Sequence, residues 1–112
     1  MINDALNLTG KTALVTGAAG GIGRATAALF LQAGASLALV DRDGARLREF
    51  ADTLASNRVH IIEADTTSPP AVEAYFEAAV SHFGALHIVF ANAGALDVPM
   101  PIADVEIGRA HV

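Results

Sequence analysis

Four short runs rich in Val, Ile and Leu, at 12–16 (TALVT), 36–40 (SLALV), 58–62 (RVHII) and 87–91 (HIVFA), limit what this chain can fold into. Their apolar residues are nearly continuous instead of alternating, which is how strands read when both faces of a sheet are covered. Between them lie segments long enough for helices, at 22–34, 43–56 and 68–84. Gly34 and Gly84 stand where glycine ends a helix, and Asp43 and Ser68 stand where a side chain caps a start. Pro69 and Pro70 fit a first turn, where a missing N–H costs little. In the third segment Val72, Phe76, Ala79, Val80 and Phe83 share one helical stripe. The predicted order is β-α-β-α-β-α-β. Right-handed crossovers then give a doubly wound parallel sheet, α/β in class, with strand order 3-2-1-4. Ligands of such sheets sit beyond the carboxyl ends of the strands where the order reverses, between strands 1 and 4. The stretches 16–23 and 91–94 both fall there.

Composition narrows the partners. The 112 residues are enough for one domain, and 53% hydrophobic against 17% charged residues describes a chain that folds. Seven basic against twelve acidic residues, a net charge of −5, argue against a nucleic-acid binder. No apolar run reaches the roughly 20 residues of a membrane span, and the first eleven residues lack the pattern of a secretory signal, so a cytoplasmic location is expected. With no cysteine there is no disulfide and no thiolate metal site. The expected partner is a small molecule.

The first strand runs into VTGAAGGIGRA, residues 15–25. A chain that must turn sharply, admit a large anion to its backbone and start a helix packed on the sheet has no room for side chains at three points. Gly17 suits the tight turn, Gly21 the approach of a pyrophosphate, and Gly23 the packing of the helix on strand 1. The first N–H groups of that helix, unpaired and at the positive end of its dipole, face the phosphates. Following a strand and opening a helix, the glycine pattern is that of a Rossmann-type dinucleotide site; no Gly-Lys-Ser/Thr follows, which excludes a Walker loop. Strand 2 ends at Asp41, 18 residues past Gly23, near the spacing of about 20 at which an acid meets the adenosine ribose. Its charge opposes a 2′-phosphate and favours NAD over NADP, while Arg42 beside it could pair with such a phosphate.

TGAAGGIG resembles the Thr-Gly-x-x-x-Gly-x-Gly signature of the short-chain dehydrogenases/reductases. ANAG (91–94) is similar to their Asn-Asn-Ala-Gly, with Ala91 for the first Asn, and ADTTSP follows strand 3 where the family's adenine-binding Asp lies. The likeness runs from residue 8 to about 105. It implies a cofactor site of Thr16, Gly17, Gly20, Gly21, Ile22, Gly23, Asp41, Arg42, Asp65, Thr66, Asn92, Ala93 and Gly94. In it Asp65 accepts from the adenine, Thr66 lies over its ring, and Asn92 to Gly94 line the ribose and nicotinamide. Asn92 carries an equal structural role, tying neighbouring strands together. The implied activity is hydride transfer between a nicotinamide cofactor and a secondary alcohol or ketone, in a homo-oligomeric parent. The alternative is a module that only binds or senses the dinucleotide.

The family's proton chemistry needs a Ser, a Tyr-x-x-x-Lys pair and a supporting Asn beyond the NAG motif. Here the only Lys is Lys11, and Tyr75, the only Tyr, has Ala79 four residues on. No catalytic residue is therefore assigned, and negligible turnover is expected of a cofactor-binding portion at 1–106. Its strand 4 edge would be an association hazard. Residues 107–112 (IGRAHV) break the preceding pattern, and one codon set for them coincides with a common sequencing-adapter string, so a non-native tail is expected there. His60, His82, His87 and His111 show no metal spacing and no shared face, and Asp43, Glu49 and Asp52 with Arg46 and Arg48 read as the wet side of helix 2.

Overall fold

The computed structural model describes residues 6–92; the loop and helix start expected after Asn92, and residues 107–112, lie outside them. The elements are β1 (Thr12–Thr16), α1 (Gly21–Gln32), β2 (Ser36–Asp41), α2 (Gly44–Leu54), β3 (Val59–Glu63), α3 (Pro69–Phe83) and β4 (Ile88–Ala91). All pairs are parallel, in the order β3-β2-β1-β4. The sheet is Rossmann-like, as the alternation of elements predicts. Elements begin or end a residue or two from their expected bounds: β3 is shifted one residue on, to Val59–Glu63, and β4 starts at Ile88.

Alternate residues of each strand face opposite layers. Ala13, Val15, Leu37 and Leu39 form one core with Ala27 and Leu31 of α1 and Leu47 and Phe50 of α2. Leu14, Ala38 and Val40 form the other with Tyr75, Phe76, Ala79 and Val80 of α3. At about 1.5–3 kcal/mol for each fully buried large aliphatic side chain, Leu14, Leu37, Leu39 and Leu47, all at 0% exposure, anchor both layers. Only β1 and β2 have interiors buried on both faces; β3 and β4 are half-buried because each is an edge of the sheet among the described residues.

The helix ends follow their local chemistry. Asp43 caps α2, its carboxylate accepting from the Arg46 N–H at 3.1 Å. Ser68 precedes α3 without a side-chain cap bond, and Gly84 closes it at φ +87°. α2 ends on Ala55, a left-handed residue (φ 49°, ψ 48°) that is not glycine. Three side chains depart from expectation. Tyr75, absent from the predicted stripe, is 1% exposed. His60 and His82 do share a face: their rings stack at 3.9 Å and 9°, because β3 and the last turn of α3 bring them together. His87, just ahead of β4, accepts the Thr12 N–H on Nδ1 at 2.9 Å and gives its own N–H to the Thr12 carbonyl, pinning the start of β1.

Candidate functional site

The carboxyl ends of β1 and β2 meet the start of α1 at one corner of the sheet. Gly17 leaves β1 at φ +65°, a conformation that favours glycine. The Gly20 N–H returns to the Gly17 carbonyl at 3.1 Å, closing a turn, and α1 begins at Gly21. A Cβ on Gly23 would collide with the Gly17 carbonyl oxygen and come within 2.9 Å of the Ala18 Cα. The close packing at Gly23 is thus against the turn itself, where the sequence suggested strand 1. A Cβ on Gly21 would meet nothing within 4 Å, so that side of the turn is open. Ile22 beside it is 65% exposed, unusual for a large apolar side chain.

Hydrogen bonds divide the amides of this corner into two sets. Those of residues 18–20 are used: Ala18 donates to the Val40 carbonyl at 3.1 Å, Ala19 to Asp41 Oδ2 at 3.0 Å, and Gly20 to Gly17. Arg24 is the first α1 residue whose N–H reaches back, to the Gly20 carbonyl at 2.9 Å. The N–H groups of Gly21, Ile22 and Gly23 between them meet no protein acceptor among the described residues. They lie at the positive end of a 12-residue helix with no side-chain cap and no acid in its first turn. Three successive donors at a helix start, with open space at Gly21, can hold an anion.

Asp41, the last residue of β2, sits beside them. Besides Ala19, it accepts from the Asp43 N–H on Oδ1 at 3.0 Å. Each carboxylate oxygen keeps a further lone pair for a ligand hydroxyl. Arg42, next along, is 70% exposed and its Nη2 lies 3.6 Å from Asp65 Oδ2 across the strand ends. Asp65 is itself organised by Thr67, whose N–H and hydroxyl both donate to Oδ1, at 2.9 and 2.6 Å. Those bonds, with a smaller contribution from Arg42, hold its carboxyl below the usual carboxylate range. Thr66 is buried at 9% exposure.

Across β1, Thr16 is 1% exposed and its hydroxyl accepts the Asn92 N–H at 3.0 Å, joining the ends of β1 and β4. The corner therefore brings together Thr16, Gly17, Gly20 to Gly23, Asp41, Arg42, Asp65, Thr66 and Asn92, while Ala93 and Gly94 lie outside the described residues. Sequence reasoning passed over Arg24. Its Nε donates to the Ala19 carbonyl at 3.0 Å and its guanidinium lies over Phe50, 5.6 Å from the ring centre. A cation one residue after the glycine pattern was the available signal. Among the described residues there is no cluster of three metal-binding side chains, and no helix is long and apolar enough to cross a membrane.

The model of the family described as short chain dehydrogenase matches residues 11–109. A short chain dehydrogenase/reductase of Macrophomina phaseolina is 37% identical over 106 residues, covering 92% of this chain and 61% of that protein. The crystal structure of a 3-ketoacyl-(acyl-carrier-protein) reductase from Brucella melitensis complexed with NADH superposes with a TM-score of 0.70 at 37% identity, over 74% of this chain and 34% of that one. A short-chain type dehydrogenase/reductase from Mycobacterium marinum superposes with a TM-score of 0.78 at 32% identity, over 91% and 42%. This chain thus spans about three fifths of the first relative and between a third and a little over two fifths of the two solved chains. With the glycine turn, the 3-2-1-4 sheet and a match over most of its length, the chain belongs to the short chain dehydrogenase family.

Proposed function

We propose that this chain binds NAD at the corner formed by β1, β2 and α1, and that it is the cofactor-binding portion of an oxidoreductase acting on a secondary alcohol or ketone. The observation that carries the reading is the run of three N–H groups at Gly21 to Gly23 that meet no protein acceptor among the described residues, with open space beside Gly21 and Asp41 bonded to the nearby Ala19 N–H. The residues fit the group: the amides take the pyrophosphate, Asp41 has lone pairs left for the adenosine ribose hydroxyls, and Gly21 leaves the approach clear. Asp65 and Thr66 stand at the adenine end, and Asn92 to Gly94 are assigned the ribose and nicotinamide side. Thr16 contributes by joining β1 to β4. When bound, the nicotinamide supplies hydride chemistry; this chain's residues bind and orient it.

NAD is favoured over NADP because Asp41 opposes a 2′-phosphate and Arg42, the cation that could receive one, is directed to Asp65. The sequence has no Tyr-x-x-x-Lys, so binding without turnover is the expected behaviour of these 112 residues. The test is calorimetry with NAD, NADP, FAD and S-adenosylmethionine in parallel. Saturable heat with NAD, weaker heat with NADP and none with the other two is expected. Equal binding of FAD or S-adenosylmethionine, or no binding of either nicotinamide dinucleotide, overturns the reading.

A further inference from the structure

Ala19 is neither glycine nor polar, yet the peptides on both sides of it are held. Its N–H goes to Asp41 Oδ2, 22 residues later in the chain, and its carbonyl accepts from Arg24 Nε, both at 3.0 Å. Arg24 is in turn steadied over the Phe50 ring of α2. Asp41 is anchored by the Asp43 N–H ahead of α2. Ala19, inside the turn that Gly17 and Gly20 close, is thereby tied through the peptide before it to β2 and through the peptide after it to α1.

From this geometry we infer that Asp41 and Arg24 are positioning residues for the anion-binding turn. They clamp the two peptides that flank Ala19 so that the amides of Gly21, Ile22 and Gly23 are aligned before any ligand arrives. The inference rests on the dinucleotide reading and extends it, since Asp41 then acts on the pyrophosphate end through the backbone as well as on the ribose directly. A turn that is already ordered does not charge its ordering entropy to the ligand. Loss of the clamp should therefore weaken every ligand that uses the turn, whether or not it carries ribose hydroxyls. Asn cannot replace Asp41 here. Its single acceptor oxygen can serve Ala19 or Asp43 but not both with the same geometry, and its NH2 would face an N–H donor.

The experiment compares NAD with an NAD analogue whose adenosine ribose lacks the 2′- and 3′-hydroxyls. Both are titrated calorimetrically into the wild-type chain and into Asp41→Asn, Arg24→Met and Arg24→Lys. Met keeps the apolar stem of Arg24 and removes its donors, whereas Lys restores one donor. Amide hydrogen exchange at Ala19, without ligand, is measured alongside, and circular dichroism checks that each variant is folded. Arg24→Met is expected to weaken both ligands by the same factor, about tenfold for a lost charge-assisted hydrogen bond, with part of the loss recovered in Arg24→Lys. Asp41→Asn is expected to weaken both, NAD the more, and the Ala19 amide should exchange faster in Asp41→Asn and Arg24→Met. If the dideoxy analogue binds wild type and Asp41→Asn equally, or Ala19 exchange is unchanged in the folded variants, the clamp is overturned and Asp41 acts on the ribose alone. A wild-type chain that takes up neither ligand overturns the dinucleotide reading beneath it, and the wild-type titration reveals that case by itself.

Discussion

A methyl group added at Gly21 would stand in open space, while one added at Gly23 would press on the backbone of Gly17 and Ala18. Two glycines of one motif thus have different surroundings, open space at one and close packing at the other. Gly23→Ala is expected to destabilise the chain by about 1–3 kcal/mol, because backbone atoms cannot swing aside as a side chain would. Gly21→Ala should leave stability unchanged or raise it by up to about 1 kcal/mol, glycine being a poor helix former. Its NAD affinity should nevertheless fall, since the methyl occupies the path to the amides. Urea unfolding and calorimetry on the pair separate the two effects, and a Gly21→Ala variant that binds like wild type would place the phosphates elsewhere. Tyr75 poses another residue-scale problem: its hydroxyl is buried in the α3 core with no hydrogen-bond partner among the described residues, and burial pushes its pKa up. Tyr75→Phe keeps the ring and removes the desolvated oxygen, so a gain of about 1 kcal/mol is expected. A lower urea midpoint would mean that the hydroxyl does have a partner. Nothing in the sequence marks this side chain as buried to the tip, because helical spacing reports a face and not how deep a polar atom sinks along it.

Among elements, the contact between β3 and α3 carries a pH dependence. His60 packs against His82, with Phe83 edge-on to both rings. Burial, and secondarily the charge of His82, lower the His60 pKa from 6.5. A base whose folded pKa is depressed binds fewer protons than in the unfolded chain. The folded state therefore has its full advantage above pH 6.5 and loses it as the pH falls through that value towards the lower folded pKa. Asp65 titrates in a separate window, its depressed pKa making its contribution fade only below its ordinary value of 3.8. Stability measured by urea is expected to decline between pH 7.5 and 5, by at most about 1.4 kcal/mol per pH unit for one proton. His60→Phe should flatten that slope while keeping an aromatic ring in place. An unchanged slope would assign the effect to other groups. His60 falls in the expected strand 58–62 and His82 near the end of the expected helix 68–84, yet the sequence does not reveal the pair, since the stacking depends on which strand α3 crosses. The ends of α1 and α3 were readable from Gly34 and Gly84. The end of α2 was not, because Ala55 adopts the left-handed conformation without being glycine. Ala55→Gly is accordingly expected to stabilise by up to about 1 kcal/mol in the same assay.

For the molecule as a whole, the near-continuous apolar runs report that a sheet is covered on both sides, and their spacing reports parallel crossovers. Neither says how deep each strand lies, which is why the half-buried β3 and β4 look the same in sequence as β1 and β2. The glycine turn was equally legible, because its demands are local. The clamp on Ala19 was not, because it joins residues that become neighbours only once β2 lies beside β1. Cofactor choice should also register as global stability. A ligand that binds only the folded chain stabilises it by about 2.7 kcal/mol at one hundred times its dissociation constant, on the order of 10–20 °C in midpoint for a domain of this size. NAD should produce such a shift. NADP at the same concentration should produce a smaller one, because its 2′-phosphate would meet Asp41 in a chain whose net charge is already −5. If repulsion is the cause, added salt should narrow the gap between the two, since it screens exposed charges over roughly 10 Å at 0.1 M. Equal shifts at low salt would mean that Arg42 leaves Asp65 to receive the phosphate, and the preference for NAD would then have to be given up.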